Sequence, residues 1–119
     1  MDAYLTMTTG SRAGYDFPLD KTRDNLIGRG LDCQVVLTDP LSSRVHAVIF
    51  FDDDGWWVRD SGSRNGTFLN DQKIDEVRLE QGNCLRIGTA EFGFHVGRPM
   101  APIRDSARPD VAQTLVLDT

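Results

Sequence analysis

The 119-residue chain is short of lysine, cysteine and long apolar runs, and each shortage closes off a class of function. Lys21 and Lys73 are its only lysines, the other eleven bases are arginine, and the 18 acidic residues outnumber all 13 bases to leave a net charge of -5. The long-range field of such a chain repels a nucleic-acid backbone or an anionic membrane, so neither is expected as a partner. Any anion it binds has to be captured locally, and arginine is the better bidentate ligand for one. The two cysteines, Cys33 and Cys84, lie far apart and form no C-x-x-C or Cys/His pair with metal-ligand spacing. They read as small buried thiols, and no metal or other cofactor is expected. Met1-Asp2-Ala3-Tyr4 lacks the basic start and apolar run of a signal peptide, and no apolar stretch reaches the length of a membrane span. These absences together point to a reducing, cytoplasmic compartment.

What the chain does contain is strand patterning. Ala3, Leu5 and Met7 alternate with Tyr4, Thr6 and Thr8, and Phe92, Phe94 and Val96 alternate with Glu91, Gly93 and His95. A hairpin is expected from His46 to Asp52 and Trp56 to Asp60, with the Asp-Gly pair of Asp53-Asp54-Gly55 supplying the positive φ angles of its turn. Further short runs stand at Tyr15 to Leu19, Phe68-Leu69, Val77 to Leu79 and Cys84 to Ile87, and no window carries a helical stripe. About ten short strands broken by Gly, Asp and Asn turns predict an all-β fold over residues 1–97, a β-sandwich or a small barrel. From residue 98 the composition changes: Pro99, Pro102 and Pro109 fall among Arg, Asp and Ala, so residues 98–119 read as a flexible tail or linker.

Three loop segments concentrate groups that a β-domain does not need for its core. They are Gly28-Arg29-Gly30, Leu41-Ser42-Ser43-Arg44-Val45-His46 and Ser61-Gly62-Ser63-Arg64-Asn65-Gly66-Thr67. If they meet at one end of the sandwich, Arg29, Arg44 and Arg64 converge with the Ser43 hydroxyl and the Asn65 amide, a constellation suited to a phosphate.

Gly28-Arg29, then Ser43-x-x-His46, then Asn65-Gly66-Thr67-x-x-Asn70, with Asp60-Ser61-Gly62-Ser63 leading into Asn65, resembles the forkhead-associated (FHA) domain in order and spacing over roughly residues 3 to 96. The resemblance implies a two-sheet antiparallel β-sandwich of about eleven short strands that binds phosphothreonine peptides through loops at one end, a protein interaction module of signalling or regulatory proteins and not an enzyme. Carried over by position, Arg29 grips the phosphate, Ser43 donates its hydroxyl to it, Arg44 adds a backbone N–H or a second guanidinium, and Asn65 hydrogen-bonds the peptide main chain. Arg64 stands where many members have a hydroxyl residue. Gly28, His46, Gly66, Thr67 and Asn70 are expected to shape and support the loops. His46 and Ser43 are not read as a catalytic pair, because no orienting acid or oxyanion hole accompanies them. Leu41 matches the position that sets preference three residues after the phosphothreonine, and a leucine there implies an apolar residue in the target. The tail offers such a partner in Thr114-Leu115-Val116-Leu117. The alternative is a phosphate-independent interaction or dimerisation module that uses the sandwich faces.

Overall fold

A computed structural model describes residues 2–98. The tail from Pro99 onward, Thr114 included, lies outside the described residues. Eleven strands form two sheets: β1 (Ala3–Met7), β2 (Asp16–Pro18), β3 (Asn25–Gly28), β4 (Val35–Val36), β5 (Ala47–Asp52), β6 (Gly55–Asp60), β7 (Thr67–Leu69), β8 (Gln72–Ile74), β9 (Glu76–Arg78), β10 (Cys84–Ile87) and β11 (Ala90–Val96). One sheet runs β2-β1-β11-β10-β7-β8 and the other β4-β3-β5-β6-β9, with no helix among the described residues. Every pairing is antiparallel except that of β3 with β4, where Ile27 faces Val35 in parallel register.

The alternation sorts side chains between core and solvent as the period of two requires. Ala3, Leu5 and Met7 of β1 and Ala90, Phe92 and Phe94 of β11 point inward, and the register pairs Leu5 with Phe94 and Met7 with Phe92. From the other sheet Ile27, Ile49, Trp56 and Val58 meet them, each at most 1% exposed. Each fully buried side chain of this kind contributes about 1.5–3 kcal/mol relative to an exposed one. The same parity corrects the reading of Cys84 as buried. Leu85 and Ile87 fill the inward positions of β10, which turns Cys84 to the exposed face, while Cys33 is buried. Burial raises the Cys84 thiol even so, with the Glu91 and Asp71 carboxylates adding to the effect, and it is the main cause of the rise at Cys33 as well.

The β5–β6 hairpin forms where expected, but its turn works differently. Asp53 and Asp54 take the positive φ angles, at 50° and 58°, whereas Gly55 already belongs to β6 and pairs with Asp52. The glycine is required for space: a Cβ there would press on the Arg78 guanidinium, 2.5 Å from Cζ. Asn25, 1% exposed, shows how a buried polar side chain can organise a segment with little strand pattern of its own. Its amide donates to the carbonyls of Asp20 (2.9 Å) and Ile49 (3.0 Å) and accepts the Asp20 N–H (2.8 Å), so the approach to β3 is fixed by satisfied hydrogen bonds.

Candidate functional site

The site begins with a close approach of two backbones. Gly28 ends β3 against the β4–β5 loop, where an added Cβ would overlap the Arg44 carbonyl oxygen and lie 2.8 Å from that of Ser43. Only glycine allows this contact. It lets the Arg29 N–H donate to the Ser43 carbonyl (3.0 Å) and the Gly30 N–H to the Arg44 carbonyl (2.9 Å), zipping the two loops together. The Arg29 Nε then donates to the Ser42 carbonyl at 2.5 Å, which fixes the direction of the guanidinium while its terminal nitrogens stay available.

A second latch joins the β4–β5 and β6–β7 loops through His46, which is fully buried. The Ser43 N–H donates to Nδ1 (3.0 Å), so that nitrogen is bare; Nε2 therefore carries the proton and donates it to the Gly66 carbonyl (2.7 Å). One neutral imidazole thus spans both loops and sets the Ser43 backbone. The Ser43 Oγ accepts the Arg64 N–H at 3.1 Å, leaving its own O–H to donate outward. The Asn65 amide nitrogen donates to the Leu41 carbonyl at 2.7 Å, leaving Oδ1 to act as an acceptor.

Two carboxylates, Asp60 and Asp39, support the loops in roles that sequence reasoning did not assign. Asp60 accepts the hydroxyls of Ser63 (2.5 Å) and Thr67 (2.7 Å) and the Ser63 N–H (3.0 Å), and Ser63 Oγ in turn accepts the Gly66 N–H (2.9 Å). Asp39 accepts the N–H of Leu41 (2.9 Å) and both the N–H and hydroxyl of Thr89 (2.5 and 2.7 Å), while its carbonyl takes the Ser42 hydroxyl (2.7 Å). Asp60 braces the Asn65 loop, and Asp39 ties the Leu41–Ser43 loop to the β10–β11 turn. Burial by itself would raise the Asp60 carboxyl, but the Ser63 and Thr67 hydrogen bonds outweigh it and hold it below its usual value. The Thr89 and Leu41 N–H groups pull Asp39 down in the same direction.

Around this frame Arg29, Ser43, Arg44, Arg64, Asn65 and Leu41 line one open depression of about 300 Å³. Gly28, His46, Gly66 and Thr67 lie buried beneath it. Thr67 braces the loop through the Asp60 side chain. Asn70 does not join them. At φ 50° it forms the β7–β8 turn with Asp71, and its side chain accepts the Cys84 N–H at 2.9 Å, so this residue is a hairpin turn former instead of a brace for the Asn65 loop. Among the described residues the only ion pair is Asp2 with Arg98, and the three site guanidiniums are exposed with no carboxylate partner. Three unneutralised arginines gathered in a chain of net charge -5 make a local anion trap. His95 has no part in it; the ring stacks on Tyr4 with centroids 5.0 Å apart.

The FHA domain model matches residues 25–88 of the chain. The FHA domain-containing protein FhaB of Mycobacterium tuberculosis is 40% identical over 86 residues, covering 71% of this chain and 55% of that one. The chain spans a little over half the length of that relative and as little as 9% of a longer one. Among solved structures, an FHA domain from a study of phosphothreonine-dependent FHA domain interactions superposes with a TM-score of 0.75 at 31% identity, covering 83% of this chain and all of the other. EmbR of Mycobacterium tuberculosis, in complex with a low-affinity phosphopeptide, gives 0.76 at 30% identity over 85% of this chain and 26% of its own.

Proposed function

The chain belongs to the forkhead-associated domain family, and we propose that it is a phosphothreonine-dependent protein interaction module whose ligand is held by Arg29, Ser43, Arg44, Arg64 and Asn65. The observation that carries the site assignment is the cluster of three exposed arginines with no acidic partner, gathered on loops latched by Gly28 and His46. Arg29, steered through Nε, presents a planar fork to two phosphate oxygens, and Ser43 donates its hydroxyl to a third. Asn65 accepts from the peptide backbone, and Leu41, 49% exposed at the rim, reads an apolar residue three positions after the phosphothreonine. Arg64 supplies charge where a hydroxyl ligand is missing. Threonine is preferred to serine because a β-branched side chain has less rotamer freedom to lose on binding and brings an extra methyl to bury. The function is recognition without chemistry: the loops are braced before the ligand arrives, so little ordering cost falls on the protein. Because the mark is made by a kinase that consumes ATP, the reading includes a cytoplasmic location.

Calorimetric titration of one degenerate peptide pool as phosphothreonine, phosphoserine and unmodified threonine forms tests this. Micromolar affinity, roughly -8 kcal/mol, is expected for the first alone. Equal binding of the unmodified pool would favour a phosphate-independent scaffold. A peptide spanning Thr114 belongs in the same titration, since equal binding of its phosphorylated and unphosphorylated forms removes the tail as a partner.

The pH dependence separates ligand from protein. Asp39 and Asp60 have folded-state values below their unfolded ones, so the stability they give is complete above the carboxylate range and is lost only as pH falls through their lowered values. The second ionisation of a phosphate monoester lies near pH 6. Binding is therefore expected to weaken several-fold between pH 7.5 and 5 while the thermal midpoint holds. An affinity flat over that range would count against capture of the dianion.

A further inference from the structure

Three large hydrophobic side chains are exposed among the described residues: Leu31 at 91%, Leu41 at 49% and Val96 at 42%. Single exposed leucines are ordinary, so position has to give them meaning. Two of the three stand at the phosphate loops. Leu41 lines the depression already described, and Leu31 lines a separate one of about 540 Å³ with Gly30 and Asp32. Arg29 and Arg44 line both, so the two depressions meet at the arginines. The Arg44 side chain also lies over the β3–β4 turn, where its Cγ would be 3.1 Å from a Cβ on Gly30. An extended ligand gripped at Arg29 and lying over Leu41 on one flank therefore has a continuous surface for its other flank, and Leu31 is the apolar side chain that surface presents.

We infer that Leu31 is a second specificity determinant, reading an apolar side chain within the three residues that precede the phosphothreonine. The inference rests on the phosphopeptide reading above and on Leu41 serving the residues that follow the phosphate. An extended segment rises about 3.3 Å per residue, so three residues span about 10 Å, within reach of a loop tip two positions from the gripping arginine. The nearby Asp32 carboxylate disfavours an acidic residue on that flank, which leaves an apolar contact as the chemistry on offer. Nothing in the fold accounts for a leucine so exposed at this loop tip, and its removal is not expected to alter folding.

The test is an oriented peptide library with fixed phosphothreonine and randomised positions on both flanks, screened on the chain, on Leu31→Ala and on Leu41→Ala. Wild type is expected to select an apolar residue at one of the three preceding positions. Leu31→Ala should lose that selection and weaken the best peptide roughly three- to tenfold, and Leu41→Ala should keep it. Phosphate dependence and thermal midpoint should be unchanged in Leu31→Ala. Strong phosphate dependence with no selection before the phosphothreonine, or selection that persists in Leu31→Ala, overturns the role of Leu31 and leaves the phosphopeptide reading standing. Loss of phosphate dependence in wild type would overturn both.

Discussion

Arg29→Ala is expected to abolish measurable phosphopeptide binding, with a loss on the order of 2–5 kcal/mol, while the domain melts as before. The cost is large because the phosphate has shed water to enter the loops and would then face one charge and two donors fewer. The fold should not notice. Arg29 is exposed, and although its Nε bond to the Ser42 carbonyl is lost, the backbone bonds from the N–H groups of residues 29 and 30 to the carbonyls of 43 and 44 still join its strand to the β4–β5 loop. Arg29→Lys should rescue little, since an ammonium has neither the planar fork nor the Nε that the Ser42 carbonyl orients. Calorimetry beside a thermal melt decides the matter. A variant that still binds in the micromolar range would move the phosphate onto Arg44 and Arg64.

His46→Ala should do the opposite and damage stability first. The substitution strips a fully buried ring from the junction of two loops and orphans the Ser43 N–H and the Gly66 carbonyl, each costing about 1–3 kcal/mol if left unsatisfied. Water entering the space recovers part of this, so a net loss of about 2–4 kcal/mol is expected as a lower urea midpoint. Binding measured at low temperature, where the variant stays folded, should also fall, because Ser43 loses the partner that sets its backbone. A urea midpoint within error of wild type would show that the latch carries no weight. Nitrogen NMR offers an independent check: the protonated nitrogen of the resting ring should be Nε2.

The two variants also mark what was legible in the chain beforehand. The strands with a clean period of two, β1 and β11, could be read directly, and so could the three loops, each carrying an exposed arginine that no core requires. Harder to read were β4, two residues long and paired in parallel, and β8, whose Gln72 and Lys73 are exposed. β4 is placed by its parallel pairing with β3 and β8 by the hairpin it forms with β7 around the positive-φ Asn70 and Asp71, and neither shows as an alternation of apolar residues. Asp39 was invisible for a related reason: its partner Thr89 lies 50 residues away, and an aspartate before a proline reads as an ordinary turn former. Cys84 is different. Applying alternation to Leu85 and Ile87 would have turned it outward, so that signal was present in the sequence. Asn70 illustrates the reverse error, because a motif position suggested a role at the Asn65 loop, whereas its positive φ and its bond to the Cys84 N–H set it in the β7–β8 turn.

The pairing of β1 with β11 determines how this domain can be wired to other parts of a protein. Ala3 faces Val96, the Gly97 N–H donates to the Asp2 carbonyl at 2.6 Å, and Arg98 pairs with Asp2 at 2.7 Å, so the chain enters and leaves at a single point. That point is at the opposite end of β11 from Thr89, the residue through which Asp39 tethers the ligand loops; seven residues of strand span about 23 Å. Anything joined at residues 2 and 98 is attached at one pole, while the loops proposed to hold the peptide are at the other. The domain can therefore be appended to a longer chain, or spliced into one, like a plug with both leads at its back, with the proposed phosphopeptide loops facing away from the junction.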